Sequence, residues 1–283
     1  MNIKGYIITV AGAGMFIFSS CTNAVDEEVG MNIPQTLQVI APYGMDTRVV
    51  YEEEGKNINV KWKPGDQITL ADLEHWDAIK YRYNGQENTS TATFDLYKSE
   101  SRDELTGDFI AVHGIDLSYT RSIDVEVDYG YFGQSGDNTF EHLAPRNAML
   151  AKGICENGEI QQTLEFHSLL SILSFEITMP EGTTPQYIKL CSNNGKLRVS
   201  ERYDLSGESI GVGHTSEIRM NLVNIDSNHF TANMLLVPCN LKEEDLQISI
   251  TDKDNKTYLS DLFKGSDFKA GKHYTKTIIV EGN

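Results

Sequence analysis

The sequence predicts an all-β protein of packed sheets behind an export signal. Three observations carry this reading: short segments alternate apolar and polar residues with period two, turn clusters separate them, and no amphipathic helix follows the first twenty residues. Many short strands in a chain of this length point to sandwiches.

At the start, Lys4 precedes a mostly apolar stretch of thirteen residues from Tyr6 to Phe18, shorter than the roughly 20 a membrane-spanning helix needs. A positive start, a short oily middle and small residues before a cut describe an export signal. Cys21 could be a redox residue, half of a disulfide, or the point where the chain is cut and fastened. Phe18-Ser19-Ser20-Cys21 resembles a bacterial lipobox, in which the cysteine thiol is acylated and becomes the mature amino terminus. A cysteine that merely follows a conventional signal peptide is the plainer alternative. Under the lipobox reading, residues 1–20 are a lipoprotein signal peptide and lipid on Cys21 holds the chain at the outer membrane. Each buried CH₂ of the acyl chains adds about 0.8 kcal/mol, so no transmembrane helix is needed.

Residues 21–36 read as an acidic tether, with Asp26, Glu27 and Glu28 in a polar run without a clear period. In Bacteroidales-type lipoproteins, acidic residues soon after the lipidated cysteine resemble a signal for display on the outer face. That favours the cell surface; the charges also serve simply to keep a linker extended and soluble.

The whole chain carries a formal charge of −17, and removing residues 1–20 leaves 23 basic and 41 acidic side chains. Such a balance repels phosphate backbones, and no basic stripe with interleaved aromatics is present. Nucleic acid is therefore a poor partner. The body suits one large or two ordinary domains. The polar interval Cys155–Gln162 suggests a division into residues 37–157 and 158–283. Cys155, Cys191 and Cys239 are odd in number and irregularly spaced, which describes small buried apolar groups better than a disulfide framework, although one bridge is possible.

The strands follow from alternation. Ile58, Val60 and Trp62 share one side of an early segment. In "SIDVEVDYGYF", Ile123, Val125, Val127, Tyr129 and Tyr131 face one way and Asp124, Glu126 and Asp128 the other. The run Leu169–Phe175 is apolar at nearly every position; periodicity alone leaves helix or strand open there, but the β-leaning "LSFEIT" end and Pro180 favour a strand covered on both faces. Phe230, Ala232, Met234 and Leu236 alternate, as do Leu246, Ile248 and Ile250. Turns are expected at "SGDN" (135), "NNG" (193), "SGE" (206) and "KDNK" (253).

Catalysis leaves no trace. The seven histidines show neither the helical zinc pair nor a finger spacing, and His167, in the most apolar segment, is expected to be a hydrogen-bonded structural residue. "SIGVGH", 209–214, has two glycines and opens no helix, so it is weak as a phosphate cradle. Asp124, Glu126 and Asp128 could be read as calcium ligands, but extended spacing sets them about 6.8 Å apart and a solvated face is the better reading. Asp252 and Asp254 fit a hairpin turn better than a calcium loop. Trp62, Trp76 and the tyrosines could bind carbohydrate, but aromatics at strand period usually fill a core. No enzyme activity, metal or cofactor is expected.

Four segments in order resemble the fimbrillin family, the pilus and surface lipoproteins of Bacteroidales. They are "TRVVYEEEGKNINVKWKPGDQITL" from 47, "NAMLAKG" from 147, "LEFHSLLSILSFEI" from 164 and "FKAGKHYTKTIIV" from 268. Asn147 stands where the family usually has an acid, and the lysine common between Phe166 and His167 is absent.

This resemblance implies two tandem transthyretin-like β-sandwich domains. It also implies assembly by strand exchange, in which a protease removes a first strand and a neighbouring pilus subunit fills the groove. Leu37, Val39 and Ala41 would then mark the removable strand, and Arg48 a cut site for an arginine-specific protease; a surface arginine in an intact chain is the alternative. The little sequence after the closing strand points to a tip, anchor or accessory subunit more than a stalk. The expected function is a surface lipoprotein that builds or decorates a pilus and supports adhesion to a host or bacterial surface ligand. The rival reading is a surface glycan-binding lipoprotein.

Overall fold

Alternating segments fold into strands whose apolar faces fill three cores. The computed structural model describes residues 32–42, 52–54, 57–72, 78–99, 104–115, 117, 122–127 and 133–281; Cys21, Arg48, Trp76, Asp128, Tyr129 and Tyr131 lie outside them. The first half contributes β1 (Thr36–Ile40), β2 (Glu52–Glu54), β3 (Asn57–Asn59), β4 (Gln67–Asp72), β5 (Ile79–Tyr83), β6 (Thr91–Ser99), β7 (Gly107–His113), β8 (Ser122–Glu126), β9 (Gln134–Gly136), β10 (Met149–Glu156), β11 (Glu159–Ile160), β12 (Leu164–Glu165) and β13 (His167–Ser168). The second half contributes β14 (Ser171–Thr178), β15 (Pro185–Ser192), β16 (Leu197–Asp204), β17 (Ser209–Thr215), β18 (Glu217–Leu222), β19 (His229–Leu236), β20 (Cys239–Asn240), β21 (Asp245–Asp252), β22 (Thr257–Leu259), β23 (Phe263–Lys264), β24 (Asp267–Phe268) and β25 (His273–Ile279).

In the first half, nine strands form one curled sheet in the order β11-β10-β7-β4-β5-β6-β1-β12, with β13 returning to β10. The curl follows from one short segment. β12 pairs with β1, and two residues later β13 pairs with β10, so 164–168 draws the far ends of the strand path together. Alternation in β5 sends Ile79, Tyr81 and Tyr83 inward, and Leu37 and Val39 of β1 join them. Trp62 stands at the centre, edge-on to Phe94, His113 and Phe166 at ring separations of 5.0, 5.3 and 5.3 Å. Edge-to-face contacts of this kind add about 0.5–1.5 kcal/mol each beyond burial.

The second half is a sandwich. The sheet β19-β14-β25 and the sheet β22-β21-β15-β18-β9 enclose Leu173, Phe175, Ile177, Ile188, Leu190, Met220, Ile248 and Ile250. A third core joins the halves: Ile110, Val112 and Leu150, on the outer faces of β7 and β10, pack with Ile123, Val125, Val127, Leu170, Ile172 and Leu235. The two-sided burial expected for Leu169–Phe175 is present, because Ile172 faces this third core and Leu173 and Phe175 face the sandwich.

Two segments that precede residue 157 are paired with strands that follow it: β8 runs antiparallel to β16, and β9 runs parallel to β18. The turns expected at 193, 206 and 253 are present, but the one expected at 135 is not. Ser135 and Gly136 lie in β9, and the chain then enters a short 3-10 helix, Glu141–Arg146. Glycine is required at 136 because a Cβ there would run into the ring of His142.

Candidate functional site

The strand proposed from Leu37, Val39 and Ala41 lies in a slot within the curled sheet. β1 is antiparallel to β6 over Thr36–Ile40 and parallel to β12 at Val39 and Ile40. Flanking residues extend the ladder. Asn32 O accepts from Leu105 N at 3.1 Å, Gln35 O from Leu96 N at 2.8 Å and Ile40 O from Phe166 N at 3.1 Å, while Ala41 N donates to Ser90 O at 2.8 Å. Ile33, Leu37, Val39 and Ala41 are buried in the first core. Burying Leu37 and Val39 alone contributes about 3–6 kcal/mol.

Tyr81 crosses the floor of the slot, and its hydroxyl donates to Pro34 O at 2.7 Å. Burial, with a smaller contribution from the Cys155 thiol, pushes the Tyr81 phenol well above its ordinary value, so it stays a neutral donor. Gln38 adds a bond from its amide to Thr93 Oγ1 at 2.7 Å. Where β1 ends, a cleft of about 540 Å³ opens between Ile40–Pro42, Glu165–Ser168 and the turn Ala270–Lys272. Of the groups that build the slot besides β1, Phe166 falls in a segment that the family resemblance marks, whereas nothing in the sequence points to Phe94, and the alternation of "IKYRY" marks Tyr81 as inward but gives no partner.

Other candidates from the sequence resolve differently. His167, expected to be a hydrogen-bonded structural residue in an apolar segment, is exposed: Phe166 and Ser168 on either side turn inward, and period two sends His167 out. Among the described residues the buried histidine is His113, whose Nδ1 meets Gln67 O at 2.7 Å. Asp124 pairs with Arg202 Nε at 2.5 Å and Glu126 is exposed. Asp252 accepts from the backbone of Asp254 and Lys256 and from Tyr258 Oη, as a turn residue does. Among the described residues, no three His, Cys, Asp or Glu side chains gather to hold a metal. Residues 209–214 form most of β17 and open no helix. Cys155 and Cys239 are buried and Cys191 is half-buried, all three as free thiols raised above the ordinary value chiefly by burial.

Among the described residues, sugar-stacking surfaces are sparse. Trp62 is wholly buried, and the exposed ring of Tyr97 is covered by the Arg82 guanidinium at 3.5 Å from its centroid. Among the described residues no helix is long and apolar enough to cross a membrane.

In solved structures the same fold recurs. A protein from Bacteroides ovatus, proposed to act in cell adhesion, superposes with a TM-score of 0.55 at 14% identity over 87% of this chain and 92% of that one. Another from Bacteroides uniformis, proposed for the same role, gives 0.50 at 15% identity over 87% and 93%. At these identities the likeness is one of fold: a curled, sandwich-type all-β architecture. No protein-family model matches the sequence, and a search of curated proteins finds no match.

Proposed function

We propose that this chain is a non-catalytic subunit of a surface adhesive fibre, a fimbrillin-like lipoprotein carried to the outer membrane by lipid on Cys21. We read the chain as two transthyretin-like domains, residues 37–157 and 158–283. Assembly proceeds by strand exchange: cleavage after Arg48 frees β1, and a strand from a neighbouring subunit takes its place. One observation carries this reading, the seating of β1. It is held between two neighbours by backbone pairing and a few apolar side chains. Main-chain pairing gives affinity and alternate side chains give specificity in this kind of exchange. The shared fold with proteins proposed to act in adhesion supports the setting.

The test is the amino terminus of protein recovered from cells. A mature chain beginning at Val49, together with ladders of SDS-resistant oligomers, is expected of an assembled subunit. An acylated chain beginning at Cys21 is expected of an anchor. A chain found only as monomers and without acyl groups would overturn the proposal.

A further inference from the structure

We propose that β17 is a pairing edge for β17 of a second copy of this chain, the two strands running antiparallel about a two-fold axis through Val212. This surface is separate from the β1 slot and stands without strand exchange there.

β17 is the outer strand of the three-stranded sheet β17-β16-β8, and among the described residues nothing pairs with its outer side. Natural proteins blunt such edges with lysine, proline, inward charge or a covering loop. Here Ser209–Thr215 contains no Lys, Arg, Asp, Glu or Pro, and Ile210 and Val212 are 57% and 46% exposed. Among the described residues the one protective device is a register shift in the ladder to β16 at each end of the strand, beside Ile210 and beside Val199.

Charge selects the occupant. A chain of net charge −17 repels its own copies over much of its surface. This ribbon is an exception: the β16 charges beside it are compensated within the chain, Arg202 by Asp124 and Arg198 by Glu201. The copy that pairs here brings an equally neutral strand, so no like charges meet.

The strand also matches itself. About Val212, antiparallel pairing sets Gly211 opposite Gly213, Ile210 opposite His214, Ser209 opposite Thr215 and Glu208 opposite Ser216. Gly211 lies beside Arg202, and Gly213 beside Ser200, in the ladder to β16. Across the axis the row therefore reads Arg202, Gly211, then Gly213 and Ser200 of the copy, with no side chain on the two central positions to hold the backbones apart. A two-fold pairing of this kind uses both edges and closes at a dimer.

The test uses the full chain with Val212→Cys, Val212→Lys and, as a control elsewhere on the surface, Val223→Cys, a site of similar exposure at 45%. Directly opposed residues of antiparallel strands lie about 4.5–5.5 Å apart at Cα, within the range a disulfide bridges. Under mild oxidation Val212→Cys is expected to give a covalent dimer at least about tenfold faster than Val223→Cys, with the bond mapped to position 212 in both copies. Sedimentation is expected to show a dimer that Val212→Lys weakens by about tenfold or more, since like charges directly opposed are destabilising. A protein monomeric at all concentrations, a dimer indifferent to Val212→Lys, or equal cross-linking of the two cysteine variants would each overturn the proposal.

Discussion

β19 and β17 are both outer strands of three-stranded sheets, and they are finished in opposite ways. The edge of β19 is sealed by side chains from residues 134–142. Gln134 donates to Leu235 O at 2.8 Å and accepts from Leu235 N at 2.7 Å; His142 Nε2 donates to Asn233 O at 2.8 Å; Asn138 Oδ1 accepts from Thr231 N at 3.0 Å. Three side chains do what a neighbouring strand would do. The edge of β17 has no such cover among the described residues. The difference follows burial: Leu235 belongs to the core that joins the two halves, where an unpaired backbone group would cost about 1–3 kcal/mol, whereas β17 faces water.

The contrast can be broken most severely at Gln134, which is 1% exposed. Gln134→Leu keeps the bulk and strands two buried backbone groups, and it is expected to cost about 2–4 kcal/mol, read as a lower denaturant midpoint at unchanged slope. An unchanged midpoint would mean that the seal is dispensable. His142 sharpens the comparison through pH. Burial, first, and the Arg146 charge lower its pKa, against the opposing pull of the Asn233 carbonyl and Asp137. The folded chain therefore holds the imidazole neutral, and stability falls as pH drops below the ordinary histidine value of about 6.5, because the unfolded chain takes up the proton first. His142→Gln keeps a donor without a titration, so its midpoint is expected to change less between pH 7 and pH 5 than that of the parent. The smallest effect belongs to β17: in the monomer, Val212→Lys is expected to alter stability by no more than about 0.5 kcal/mol, as an exposed position should.

Alternation made much of this fold readable. Ile123, Val125 and Val127 are buried while Asp124 and Glu126 are exposed, and Leu246, Ile248 and Ile250 all turn into the sandwich. Period two reports which face is covered and never by what, so the pairing of β8 with β16 and of β9 with β18 was not legible. Asn233 and Leu235 show the same limit. They occupy the face of β19 that alternation assigns to water, yet both are buried because residues from the other half of the chain lie over them. In the candidate site, Leu37, Val39 and Ala41 could be read as a strand, but the flanking Phe94 and Leu164 are brought there by the curl of the sheet. The signal at Gln134 was weaker still: a glutamine's burial depends on the backbone it meets.

The curl also orders events in time. Synthesis produces β1 first among the described strands and 164–168 last in its sheet, so the early strand can find β6 long before the segment that completes its other side exists. Contacts this distant in sequence form slowly. A newly made chain therefore passes through an interval in which one flank of β1 is bare, and any factor that escorts it has most to protect during that interval.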